Sequence, residues 1–126
     1  MRANEPAITV TDHDLERLLP ILDANDTPAA ELLDWELRRA SVVPHATVDR
    51  DVVTMNSDVV YEDVDTGERK TLRVVYPKDA NAALGHVSVL APMGSALLGL
   101  RVGQTIEWKL PKGSRTFVVR EVHAQH

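Results

Sequence analysis

The stretch Val87-Ser88-Val89-Leu90-Ala91-Pro92-Met93-Gly94-Ser95-Ala96-Leu97-Leu98-Gly99 holds the sharpest change of pattern in this 126-residue chain. Val87 to Leu90 is a short apolar run suited to a buried strand. Pro92 has the fixed φ of a first helical turn, where its missing N–H is no loss, so the sequence predicts a short helix through Ala96, Leu97 and Leu98. Gly99 or Gly103 then ends that helix.

Outward from this unit, the pattern has period two. Val60 to Val64 and Leu72, Val74 and Tyr76 predict two strands joined through Asp65-Thr66-Gly67, with Pro77 ending the second. Downstream, Thr105, Glu107 and Lys109 alternate with Ile106, Trp108 and Leu110. The turn Pro111-Lys112-Gly113-Ser114 then leads into a last strand, Thr116 to Val122. The expected result is an antiparallel sheet carrying one short helix, within an α+β chain.

Upstream, the period is helical. Thr11 followed by Asp14 marks a helix start, since a hydroxyl caps free backbone N–H groups and early carboxylates suit the positive end of the dipole. Leu15, Leu18, Leu19 and Leu22 form one face, and Pro20 is expected to kink or end the helix. After Asp23-Ala24-Asn25-Asp26, Thr27 caps and Pro28 opens a second helix with Ala30, Leu33, Leu37 and Ala40 along its seam. Trp35 lies nearly opposite Leu33, which predicts a further contact for that helix. Helices of about a dozen residues, roughly 18 Å long, are marginal alone, so the hairpin is expected to lean on the domain that follows. The division read from the pattern is a helical hairpin over 1–43, a linker over 44–56 and a sheet domain over 57–126.

Composition narrows the function. There is no cysteine, which excludes disulfides, thiol nucleophiles and cysteine-ligated zinc. Five aromatic residues are too few for a base-stacking platform. The start of the chain lacks an apolar signal region, and Val87 to Leu100 is too short and broken to span a bilayer, so the expected location is the cytoplasm. The histidines, at 13, 45, 86, 123 and 126, have no metal-ligating spacing, and no metal or other cofactor is expected. Gly94-Ser95-Ala96 does not complete a nucleophile elbow, and Gly99 to Gly103 lacks the lysine ending of a phosphate loop, which argues against an autonomous enzyme.

The formal charge of −5 is unevenly placed. Residues 1–50 carry ten acids and five bases, while residues 51–126 carry nine of each. Between Asp12 and Glu36 eight acids face Arg17 alone, which repels phosphate and disfavours a nucleic-acid surface. Two readings stay open for this segment: a solvated helical face, or one that approaches a basic partner or a metal-containing cleft. Asp23 and Asp26, at the expected hairpin tip, are ordinary turn residues or a pair able to share a hard cation whose other ligands come from a second molecule.

The segment from Ala91-Pro92 through Ala96-Leu97-Leu98-Gly99 resembles the C-terminal domain of the Gre transcript-cleavage factors. Val53-Thr54-Met55-Asn56-Ser57, Val75-Tyr76-Pro77, Val89-Leu90-Ala91-Pro92 and Trp108-Lys109-Leu110-Pro111 are similar to the Rnk branch of that family, the regulators of nucleoside diphosphate kinase. The resemblance implies an FKBP-like sheet domain behind a short antiparallel coiled-coil hairpin, without prolyl isomerase activity. It implies bacterial RNA polymerase as the partner, docking through Pro92 with Ala91 and Met93 beside it, and a hairpin directed into the secondary channel. The acidic tip motif of the cleavage factors is not reproduced, and the hairpin is much shorter. The expected protein is therefore a non-enzymatic, monomeric transcription regulator that competes with Gre-type factors for the channel, with no small-molecule substrate and no sequence-specific nucleic-acid contact of its own. Two alternatives stand beside it: an elongation factor whose Asp23 and Asp26 stimulate transcript cleavage, and a module that binds nucleoside diphosphate kinase directly.

Overall fold

The computed structural model describes residues 8–110 and 113–123. In chain order the strands and helices are β1 (Thr9–Thr11), α1 (Asp12–Ala24), α2 (Pro28–Arg39), β2 (Ser41–Val43), β3 (Asp58–Asp63), β4 (Arg69–Val75), β5 (His86–Ser88), α3 (Pro92–Leu97), β6 (Thr105–Leu110) and β7 (Gly113–His123). Two helices precede a sheet domain with one short helix, the α+β plan that the periodicities predict. The opening Met1 to Pro6, Pro111 and Lys112 of the expected turn, the side chain of Trp108, and His126 lie outside the described residues.

Both caps of the hairpin form as expected. Thr11 Oγ1 accepts from the Asp14 N–H at 3.0 Å, and Thr27 Oγ1 accepts from Ala30 at 3.2 Å, with Pro28 in the first turn. Pro20, however, neither ends nor divides α1, which runs on to Ala24. The bond it removes would have ended on the Glu16 carbonyl, and both residues are exposed, so water can serve that oxygen. Leu19 is also corrected: it is 44% exposed, while Leu18 and Leu22 are buried and Leu15 packs at the core's edge. The contact predicted for Trp35 is local, with the Arg39 guanidinium 4.4 Å from its ring centroid.

The five-stranded sheet has the order β5-β4-β3-β7-β6. Its pairs are antiparallel except β4 with β5, which run parallel and so depart from the all-antiparallel expectation. The chain between them crosses over through two 3-10 turns, Pro77–Asp79 and Ala82–Leu84, instead of folding back as a hairpin. Gly67 adopts φ +74° in the β3–β4 turn.

The stretch 44–56, read as a linker, supplies buried Val52, Val53 and Met55. Thr54 and Ser57 join their hydroxyls at 2.7 Å, Asn56 takes a left-handed φ of 65°, and its N–H donates to the Val74 carbonyl at 2.6 Å. A parallel pair of three-residue strands, β1 with β2, had no counterpart in the sequence reading. It passes close to the end of α3, where Thr9 N–H donates to the Gly99 carbonyl at 3.1 Å. A Cβ on Gly99 would lie 2.5 Å from Ile8 Cβ, which leaves glycine as the residue that fits. Leu18 and Leu22 of α1, Ala30, Leu33 and Leu37 of α2, and Val59, Val74, Leu97 and Ile106 of the sheet domain belong to one apolar cluster. The hairpin thus leans on the sheet domain, as its shortness requires.

Candidate functional site

The turn from β5 into α3 places Ala91, Pro92 and Met93 at the surface. Val89 is fully buried, and its N–H donates to the Val75 carbonyl at 2.8 Å, fixing the chain to β4. Ser88 then turns it: its Oγ accepts from Leu90 at 3.1 Å and its carbonyl accepts from Ala91 at 2.9 Å. The Ala91 carbonyl takes the Ser95 N–H at 2.9 Å and starts the helix. Gly94 sits directly over the Ser88 carbonyl, so close that an added Cβ would collide with that oxygen.

From Gly94 onward α3 is buried, whereas Pro92 is exposed and Ala91 and Met93 are half-buried. Met93 packs at the margin of the core. The structure therefore brings Ala91, Pro92 and Met93 together as a firm apolar corner, with Pro92 facing outward and the helix behind it anchored.

Asp23 and Asp26 are both exposed at the hairpin turn. The caps there are made by other residues. Asn25 donates its backbone N–H to Leu22 at 3.2 Å and its amide Nδ2 to the Ile21 carbonyl at 2.7 Å, and Thr27 caps α2. Among the described residues, no group of three or more histidine, aspartate or glutamate side chains is placed to hold a metal ion.

The acidic run divides into inward and outward groups. Asp14 is buried, and its Oδ2 accepts from the Met55 N–H at 3.0 Å, tying α1 to the sheet domain. Glu36 is buried with Arg39 at 3.8 Å, and Asp34 meets Arg38 at 2.9 Å. Asp12, Glu16, Asp23, Asp26 and Glu31 remain exposed. The sequence reading treated Asp14 only as a helix-start residue. Its spacing with Leu18 and Leu22, four and eight residues on, already placed it on the apolar stripe.

On the sheet, Arg73 holds Asp58 through two hydrogen bonds of 2.8 and 3.1 Å, keeping that carboxyl below the usual range. At the junction with the hairpin, Tyr76 is buried, which pushes its phenol up to about 12. His13 and His45 lie with ring centroids 4.8 Å apart, and His123 meets Glu121 at 3.1 Å, neither arrangement resembling a catalytic constellation. No helix among the described residues is long and apolar enough to cross a membrane.

Comparison with known proteins matches both halves of this arrangement. Residues 47–124 match the family described as transcription elongation factor GreA/GreB, C-terminal, and residues 6–43 match the Rnk N-terminus. The chain is 40% identical over 116 residues to the regulator of nucleoside diphosphate kinase of Escherichia coli K12, covering 90% of this chain and 85% of that one. It is 34% identical over 98 residues to transcription elongation factor GreA of Azorhizobium caulinodans, covering 78% of this chain and 62% of the relative. Among solved structures, the transcription elongation factor GreA/GreB from Nitrosomonas europaea superposes with a TM-score of 0.82 at 40% identity, over 95% of this chain and all of that one.

Proposed function

Since the chain belongs to the GreA/GreB family of transcription elongation factors and begins with an Rnk-type segment, we propose that it regulates transcription by docking on bacterial RNA polymerase at the secondary channel. Its relatives carry the names of regulators and elongation factors, not of catalysts of a reaction of their own. The observation that carries the reading is the Ala91-Pro92-Met93 corner, in which an exposed proline stands on a buried helix that holds it still. A preformed apolar contact of this kind loses little conformational freedom on binding.

The hairpin supplies the second element. Its exposed carboxylates attract a basic channel from a distance and hasten encounter, while the apolar corner sets the residence time. Thirteen residues give α1 a length of roughly 20 Å. The protein then acts by occupancy, excluding Gre-type factors from the same entrance without cleaving the transcript. Pull-down of bacterial core polymerase with wild type and Pro92→Asn tests the corner. A folded Pro92→Asn protein should retain well under half of the bound polymerase, and undiminished capture would remove Pro92 from the interface.

A second reading has support in the tip. Asp23 and Asp26 are exposed and play no part in capping, so they are available to a magnesium ion held by the polymerase. Under that reading, Asp23→Ala/Asp26→Ala abolishes cleavage stimulation while binding persists. Under the occupancy reading, wild type and double variant alike stimulate no cleavage. The reading as a direct partner of nucleoside diphosphate kinase rests on the name of the Escherichia coli relative, and co-purification with the kinase in the absence of polymerase would favour it.

A further inference from the structure

A groove of about 640 Å³ runs between the second half of α1 and the chain leaving β4, away from the Ala91-Pro92-Met93 corner in sequence and lined by none of its residues. One wall is a single helical face, Arg17, Ile21 and Ala24, at spacings of four and then three residues. The other wall is Tyr76, Pro77 and Lys78. The volume is that of ordinary small-molecule sites, and the lining is mostly apolar with a few polar groups, the usual composition of such sites.

The charge in the groove is opposite to that of the hairpin around it. Arg17 is the only basic residue between Asp12 and Leu37, and it lines this groove together with Lys78. No carboxylate is among the lining residues. The buried Asp14 carboxylate, whose charge acts on Tyr76, already accepts the Met55 N–H. Two cations lining one mostly apolar groove, one on each wall, match a ligand with a hydrophobic body and one anionic end.

We propose that this groove binds a small amphipathic organic anion, its apolar body against Ile21, Ala24 and Pro77 and its charged end held by Arg17 and Lys78. Tyr76 lines the same groove as Arg17, on the opposite wall. Because the groove is bounded by the hairpin on one side and the sheet domain on the other, the bound ligand bridges the two. The test uses the isolated chain, so its outcome is read without polymerase.

The probe is anilinonaphthalene sulfonate, whose fluorescence rises on transfer to an apolar site, set against phenylnaphthylamine, which has the same body without the sulfonate. Titration should give one saturable site for the sulfonate and binding about tenfold or more weaker for the neutral analogue, since hydrogen bonds to charged groups are the stronger class. Lys78→Gln removes an exposed cation and leaves the core untouched, and Ala24→Glu places a carboxylate on the exposed end of the wall. Each should weaken sulfonate binding roughly fivefold or more, and Lys78→Gln should leave the neutral analogue unchanged. Absence of saturable sulfonate binding, equal affinity for the two probes, or affinity unmoved by both substitutions overturns the proposal. Circular dichroism of the two variants confirms that any loss is not unfolding.

Discussion

Gly94 and Pro92 sit two positions apart and carry opposite expectations. A Cβ at Gly94 would collide with the Ser88 carbonyl, a backbone atom that cannot swing aside, so Gly94→Ala should lower stability by about 1–3 kcal/mol in thermal unfolding. Pro92→Asn, at an exposed first-turn position, should stay within about 1 kcal/mol of wild type in the same measurement while losing polymerase. Asp14 is a third case. Asp14→Ala leaves the buried Met55 N–H without its acceptor and should cost about 1–3 kcal/mol, much of which Asp14→Asn recovers by retaining an oxygen. Thr11, Thr27 and Pro92 were legible in the sequence because their roles are settled within three or four neighbours. Asp14 was not, because the group it serves lies 41 residues away, although its place on the Leu18–Leu22 stripe carried a signal.

Among the elements, α1 joins the two halves of the molecule. Leu18 is fully buried in the shared core, and Leu18→Ala should cost about 2–5 kcal/mol in a single cooperative transition that includes the sheet. The contact of α1 with Tyr76 should also be visible in alkali. Burial raises the Tyr76 phenol to about 12 from its ordinary 10.0, so the unfolded chain releases this proton first. Stability from this group is therefore complete below pH 10 and declines as pH rises toward 12, and Tyr76→Phe should remove that part of the alkaline loss. The two helices and the strands β3, β4, β6 and β7 were legible because each shows several repeats of its period. Strands β1 and β2 have three residues each and pair in parallel across a gap of some thirty positions, so neither period nor turn announced them. The helix-ending effect expected of Pro20 failed for a simple reason. A proline interrupts one hydrogen bond, and on an exposed face water replaces it.

At the scale of the whole molecule, an acidic hairpin and a neutral sheet domain share one core, and the Ala91-Pro92-Met93 corner proposed for docking lies on the neutral part. Association with polymerase should accordingly slow as salt is raised, with dissociation little affected, a pattern that stopped-flow binding at two ionic strengths would show. The resemblance carried by Ala91 to Gly99 implies a docking role for this corner, whereas the groove beside Tyr76 leaves no mark in the sequence because its walls are some fifty residues apart. The central claim is that this protein occupies the polymerase secondary channel without supplying cleavage. The most direct test adds it in increasing amounts to a stalled, backtracked bacterial elongation complex containing a fixed amount of a Gre factor. Transcript cleavage should fall toward the level seen without the Gre factor, and less so with Pro92→Asn. Cleavage that stays constant at saturating protein would contradict the account.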